Sequence, residues 1–363
     1  MHAYVLHNVD DLRYEEVETP VPQEGEVLLH VKAAGICGSD IPRVYQTGAH
    51  VMPLIIGHEF SGIVEKVGPG VSEKWTGQRT GVFPLIPCME CEPCRHQQYE
   101  MCHNYNYLGS RCNGGFAEYC VVPAQNLLPI PDQVTYDQAA MMEPMAVAVH
   151  AIRGLGVTKK DHDQWTVVCG LGTIGLLVVM FLKELGLPNV IAIGNKDLQK
   201  AMAEQLGIDD AHFINSKEED PAARIQEITD QHGADIFFEC VGRNETINLS
   251  MEAAASAGRI MLVGNPATNM SFCRDTYWKI LRKELIIRGT WNSSFLDLSK
   301  NKCQFQFEDD VIDDWHYVLS RLSNGSIHPE QLITHHFYGA DLMQGFEIMH
   351  RRSEAFVKIM YFQ

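Results

Sequence analysis

At 363 residues, with 45% hydrophobic and 21% charged residues, the chain has the make-up of a soluble globular protein of two domains. A formal net charge of −17 argues against nucleic acid or an anionic membrane surface as a partner, so an anionic substrate would need a local basic pocket. No apolar run approaches the roughly 20 residues that span a bilayer, and the start, Met1 to Leu6 running into Asp10-Asp11, lacks the basic end and long apolar core of a secretory leader, so a cytoplasmic location is expected.

Residues 1–36 read as strands: Tyr4 to His7, Leu12 to Glu18 and Glu26 to Ala34, separated by Asp10-Asp11 and by Pro20, Pro22 and Gly25. Val27, Leu29 and Val31 alternate with Glu26, His30 and Lys32, the period of a half-buried strand. Short strands with turn residues between them suggest a small β-rich barrel or sandwich. Cys37 follows at its edge, within Gly35-Ile36-Cys37-Gly38-Ser39-Asp40, and a helix is expected over Ile41–Gln46. Ser39 and Asp40 suit the cap of that helix. Asp40 also suits a hydrogen bond to the second nitrogen of a metal-binding histidine, and Ser39 a proton relay toward solvent.

Gly57-His58-Glu59-Phe60-Ser61-Gly62 is the next feature. A His-Glu pair alone reads as a surface loop, but Cys37 lies upstream and Glu143 downstream. A thiolate, an imidazole and a carboxylate form the mixed set that holds a catalytic zinc with one position open.

Cys88, Cys91 and Cys94 then come three apart, with Cys102 eight further on. The chain has eleven cysteines, an odd number, and without a leader this crowding favours metal over disulfides. Four thiolates close a tetrahedral shell, so this second zinc is expected to be structural, standing in for a core in the polar lobe 88–102. Glu143 precedes Pro144 at the start of a helix expected over Pro144–Arg153, where a glutamate also suits the helix dipole.

The register changes near 160. Gln164 to Cys169 is a buried-strand run, Gly170-Leu171-Gly172-Thr173-Ile174-Gly175 follows, and an apolar helix runs from Leu176 to Leu185. Strand, glycine motif and helix in that order make a dinucleotide fingerprint, with the pyrophosphate at the helix N-terminus. Strands Val190–Ile193, His212–Ile214, Asp235–Glu239 and Arg259–Val263 then alternate with helical stretches 196–206, 220–231 and 245–256, which predicts a doubly wound parallel sheet. Leu285–Arg288 returns to strand, and 309–324 and 339–352 read as helices that rejoin the first domain.

Taken together, Cys37-Gly38-Ser39-Asp40, Gly57-His58-Glu59, the four-cysteine lobe, Glu143-Pro144, the glycine fingerprint and the terminal Val357-Lys358 resemble the zinc-containing medium-chain alcohol and polyol dehydrogenases. The resemblance implies an α/β architecture: a β-rich GroES-like catalytic domain over 1–153 and 289–363, and a Rossmann cofactor domain over 154–288. It implies Cys37, His58 and Glu143 as ligands of the catalytic zinc, with Glu59 a nearby carboxylate that exchanges onto the metal or acts through water. It further implies a zinc ion that lowers the pKa of a substrate hydroxyl while hydride passes to NAD or NADP. Cofactor contacts are expected at Gly170 to Gly175, Asn195, Lys196, Val241 and Val263.

Within the family, Ile41-Pro42-Arg43, Gly48-Ala49-His50, Gly109-Ser110-Arg111 and Lys279 to Leu285 resemble the branch that oxidises galactitol 1-phosphate. Arg43, Arg111 and Trp291 are the substrate candidates, and Lys279 and Arg282 are further cations for a phosphate. The alternative is a sorbitol-type enzyme acting on an unphosphorylated polyol. A homodimer or homotetramer is expected.

Two departures from the family pattern stand out. The second strand of the cofactor domain usually ends in an acidic residue that binds the adenosine ribose, whereas here Ile193 is followed by Gly194-Asn195-Lys196. That removes a repulsion against a 2′-phosphate and inclines the reading to NADP, with Asp197 as the residue that would still serve NAD. The other is the acidic stretch Glu308-Asp309-Asp310 within 295–312, longer than the resemblance predicts. A zinc hydrolase would have no use for the glycine fingerprint, and a nucleotide sensor without chemistry would not need all of Cys37, His58 and Glu143.

Overall fold

The computed structural model describes residues 1–266, 268–296 and 313–363. They form two compact units, Met1–Ala146 with Ser293–Gln363, and Val147–Asn292.

In the first unit, a seven-stranded sheet runs in the order Leu127–Pro129, Arg79–Val82, Glu59–Val67, Glu26–Gly35, Lys358–Phe362 and Ile333–Tyr338, with Tyr119–Pro123 also pairing Glu26–Gly35. A three-stranded sheet of Asp11–Glu16, His2–Asn8 and Leu54–Ile55 lies in the same unit. The expected alternation is seen: Val27, Leu29 and Val31 are buried while His30 and Lys32 are half-buried. Those apolar side chains join Tyr4, Leu6, Phe60, Phe116, Phe346 and Tyr361 in one core. The expected helix Ile41–Gln46 is instead a short helix Asp40–Pro42 followed by a wide turn Arg43–Thr47, closed by Gly48 at φ +76°.

In the second unit, six strands pair in parallel in the order Phe213–Asn215, Val190–Gly194, Thr166–Cys169, Ala234–Glu239, Ala254–Leu262 and Ile286–Gly289. In chain order that is 3-2-1-4-5-6, the doubly wound arrangement whose ligands bind beyond the carboxyl ends of the strands where the order reverses. That reversal falls between Thr166–Cys169 and Ala234–Glu239. The helix Thr173–Glu184 is buried from Gly175 to Leu182, so its apolar run is core. One expectation is corrected here. The helix expected over 245–256 ends at Ala253, because Ala254 already pairs with Ala234 and opens the strand Ala254–Leu262. A helix Arg274–Arg282, not anticipated from the sequence, stands before the last strand.

Of the C-terminal helices, Asp314–Ser323 and Leu342–Arg351 are described. The acidic stretch Glu308-Asp309-Asp310 lies outside the described residues. No helix of the described residues is long and apolar enough to cross a membrane.

Candidate functional site

Strand register assembles the first cluster. Glu26–Gly35 and Glu59–Val67 pair antiparallel with Gly35 opposite Glu59, so Cys37, two residues past Gly35, meets His58 and Glu59. Ligand atoms of Cys37, His58 and Glu59 all lie within 4.8 Å of one another. On the other side of Gly35 the strand Lys358–Phe362 pairs with it, Met360 opposite Gly35. The Lys358 ammonium there donates to the Glu59 carboxylate and, at 3.1 Å, to the Ile36 carbonyl. Gly35 is required for this approach: a Cβ on it would come within 2.3 Å of Glu59 Oε2 and 2.7 Å of Lys358 Nζ. Neither Gly35 nor a role for Lys358 was evident in the sequence, since nothing local links a residue near the C-terminus to Glu59.

Asp40 is wholly buried behind His58. It does not cap a helix. Its carboxylate accepts the Cys37 N–H at 3.0 Å, pairs with the Arg43 guanidinium and faces His58 Nδ1 at 3.5 Å. Burial alone would raise the Asp40 pKa, but His58 and then Arg43 outweigh it and hold the carboxyl below the ordinary range. His58 Nδ1 is buried and makes no hydrogen bond of good geometry, and the Asp40 carboxylate is the acceptor that faces it. Ser39 sits at the helix start without a side-chain cap bond.

Glu143 lies in the first turn of Met142–Gly154, buried, and is not one of the three closely grouped ligands. Its carboxylate accepts the Tyr107 hydroxyl at 3.1 Å. Burial raises the Glu143 pKa to about 7, opposed by His58 and reinforced by Glu59. A carboxyl that is costly to ionise in isolation is one that gains from a nearby cation.

The four cysteines of the lobe converge. Sγ of Cys88 and Cys94 are 3.9 Å apart, and that of Cys91 lies 3.4 Å from Cys94 and 3.8 Å from Cys102. All four are free thiols. Zinc–sulfur bonds of about 2.3 Å place tetrahedral sulfurs roughly 3.8 Å apart, so the cage fits the ion. Backbone donors, that of His103 foremost, hold the Cys91 thiol down to about 6, toward the thiolate that ligates.

In the second unit each fingerprint glycine has its own reason. Gly170 is at φ +96°, and a Cβ there would strike Val241 Cγ2 at 2.4 Å. A Cβ on Gly175 would meet the Gly170 carbonyl oxygen at 1.9 Å, whereas one on Gly172 would meet nothing within 4 Å. The turn is therefore tight on the protein side and open at Gly172, as a pyrophosphate seat requires. The next strand ends at Gly194. Asn195 N–H bonds to Gln199 Oε1, Lys196 takes the N-cap position of Asp197–Gln205, and Asp197 is its first residue.

Among the substrate candidates, Arg43 is engaged by Asp40, while the Arg111 guanidinium lies over the Tyr105 ring, 4.6 Å from its centroid. Burial lowers the His50 pKa, and Arg111 and then Arg43 lower it further, which marks the three as electrostatic neighbours. Trp291 is exposed.

Profiles of two families match the chain: the alcohol dehydrogenase GroES-like domain over residues 23–132 and the zinc-binding dehydrogenase over 173–304. Galactitol 1-phosphate 5-dehydrogenase of Escherichia coli K12 is 34% identical over 277 residues, 76% of this chain and 79% of that one. The chain belongs to the zinc-containing medium-chain alcohol and polyol dehydrogenases. L-threonine 3-dehydrogenase of Pyrococcus abyssi is 32% identical over 340 residues, covering 92% of this chain and 90% of its own. The crystal structure of E. coli galactitol-1-phosphate dehydrogenase superimposes with a TM-score of 0.88 at 30% identity, covering both chains fully. An alcohol dehydrogenase (rspB) from E. coli CFT073 in complex with NADH gives 0.87 at 29%, covering 100% of this chain and 99% of its own.

The protein is thus an oxidoreductase of a zinc- and NAD(P)-dependent dehydrogenase family. Among the described residues two groups of side chains fit zinc: the four-sulfur cage, and the open thiolate–imidazole–carboxylate set of Cys37, His58 and Glu59.

Proposed function

We propose that this dehydrogenase oxidises a secondary alcohol of a sugar-alcohol phosphate, galactitol 1-phosphate in the first instance, to the ketose phosphate by hydride transfer to NAD(P). The observation that carries the reading is its likeness, in sequence and in fold, to galactitol 1-phosphate dehydrogenase. It is supported by Arg111, His50 and Arg43 as electrostatic neighbours in a chain whose overall charge would repel a phosphate.

Zinc held by Cys37, His58 and either Glu59 or Glu143 supplies the Lewis acidity that lowers the pKa of the substrate hydroxyl. The chain's own residues do the rest. Asp40 orients the His58 ring and fixes its tautomer, a task suited to a buried carboxylate facing Nδ1. Lys358 holds Glu59, and Tyr107 holds Glu143. Ser39 carries the hydroxyl proton outward. Gly170, Leu171, Gly172, Thr173, Ile174 and Gly175 would hold the dinucleotide, with Val241 and Val263 as its neighbours. Asn195 and Lys196, at the end of the second strand of that unit, favour NADP.

A second reading, a sorbitol-type enzyme for unphosphorylated polyols, is favoured by one observation: Arg43 is already paired with Asp40. We also infer self-association through the second unit. Tyr277, Trp278 and Leu281 of the helix Arg274–Arg282 and Ile286 of the edge strand are all exposed, and exposed apolar side chains on one helix and an edge strand mark an interaction surface.

Initial rates with NAD and with NADP, measured on galactitol, sorbitol and their phosphates, test the assignment. A polyol phosphate should give the highest kcat/KM; preference for a plain polyol selects the second reading, and oxidation of neither overturns both.

A further inference from the structure

Glu239 ends the strand Ala234–Glu239 and is completely buried. Its Oε1 accepts the N–H of Val241 at 2.9 Å, the N–H of Gly242 at 2.9 Å and the hydroxyl of Thr246 at 2.7 Å; Oε2 accepts Gly242 N–H at 3.1 Å. Every donor in this set is neutral. A buried carboxylate without a cation is costly unless hydrogen bonds replace its hydration, and successive backbone N–H groups form a concavity that does so. A carboxylate retained on these terms acts as an anchor for the turn Cys240–Gly242.

What the turn touches gives the anchor its use. Val241 presses against Gly170 so closely that no Cβ fits between them, and the Gly175 backbone closes on Gly170 from the helix side. Gly242 and Gly264 meet backbone to backbone: a Cβ on Gly264 would lie 2.0 Å from the Gly242 nitrogen. The Glu239 carbonyl oxygen in turn accepts Val263 N–H at 2.8 Å and Gly264 N–H at 2.9 Å. One residue therefore ties the fingerprint turn, the turn after its own strand and the turn after the next strand, all at the carboxyl ends where a dinucleotide binds.

We propose that Glu239 is a positioning residue for the dinucleotide: its carboxylate sets the Val241–Gly242 turn, and through Val241 the Gly170–Gly172 backbone that receives the pyrophosphate. This rests on the reading of Gly170 to Gly175 as the NAD(P) seat. The cofactor itself need not touch Glu239, which is satisfied by the protein alone.

The test is titration of purified, zinc-loaded protein with NADH and NADPH, by calorimetry, beside thermal unfolding and metal content of the same samples. In Glu239→Gln the amide oxygen can keep the donors on Oε1, but an N–H then faces the Gly242 N–H. One such lost charged hydrogen bond corresponds to a Kd for both cofactors about tenfold weaker, with metal content intact. Thr246→Val, which removes the hydroxyl donor to Glu239 together with that hydroxyl's contacts to the Arg243 backbone at the helix start, should weaken binding by about threefold, in line with a weaker single hydrogen bond. Kd values within about twofold of wild type in both variants would overturn the proposal, as would a lowered unfolding temperature with unchanged Kd. Failure of the wild-type protein to bind either cofactor would instead overturn the dinucleotide reading itself.

Discussion

Lys358 and Glu59, separated by 299 residues in sequence, form an ion pair in which both side chains are buried, at 1% and 2% exposure. The lysine ammonium is also held by the Ile36 carbonyl, one residue before Cys37. The pair thus joins the C-terminal strand to both strands that carry the candidate zinc ligands.

The first prediction follows from its burial. Removing one partner of a buried pair leaves an uncompensated charge, a loss of about 3–5 kcal/mol. Lys358→Met should lower stability by that amount in urea unfolding. The double variant Glu59→Gln with Lys358→Met should lose clearly less than the sum of the two single changes, because no lone charge remains. Additive losses would mean that the two groups are not energetically coupled.

The second prediction concerns metal. The two groups of ligands predict two zinc ions per chain with separable roles. Cys91→Ser should release one zinc and cause unfolding or aggregation, because the metal stands in for a core in a polar lobe. His58→Ala should abolish turnover and lose the other zinc while the far-UV circular dichroism stays as in wild type. Elemental analysis finding a single zinc in unchelated wild-type protein contradicts the assignment.

The contrast between Cys91 and Lys358 shows what the sequence discloses. Thiols at regular spacing converge through a few turns of local chain, so the cage was legible before any fold was known. The alternation of Val27, Leu29 and Val31, and the strand–glycine–helix order around Gly170, likewise carry their meaning within a few residues. The Glu59–Lys358 pair depends on strand order in the sheet, and Gly35 matters only because both side chains cross over it. Local pattern also failed at Arg274–Arg282. Its apolar residues Tyr277, Trp278 and Leu281 face outward, and Cys273 occupies the capping position usually held by Ser, Thr, Asp or Asn.

The third prediction separates the cofactors. Lys196 stands where the chain leaves Val190–Gly194, and the acidic residue usual at that strand end is missing from Gly194-Asn195-Lys196. A lysine meets a 2′-phosphate as a point charge, so Lys196→Ala should raise KM for NADP about tenfold and leave that for NAD within about twofold. Equal effects on both would show that Lys196 does not read the 2′-phosphate. Asn195→Asp should act in the same direction, by repulsion of the phosphate.

The last prediction concerns the substrate phosphate. Arg43 and Arg111 start from different positions. The Arg43 guanidinium is tied to Asp40, which also faces His58, so its loss would disturb the metal site as well as any phosphate contact. The Arg111 guanidinium carbon lies 4.6 Å from the Tyr105 ring centroid, a cation–π contact, and a guanidinium can grip a phosphate bidentately. Arg111 is therefore the clean probe. A bidentate charged contact is worth roughly 2–3 kcal/mol, so Arg111→Ala should raise KM for a polyol phosphate by about thirtyfold to 150-fold and that for the plain polyol by less than about threefold. Arg111→Lys keeps the charge but not the fork, and should fall between the two. The comparison is read from steady-state kinetics at saturating cofactor. Equal losses on phosphorylated and plain substrates would remove Arg111 from phosphate recognition and favour the sorbitol-type enzyme.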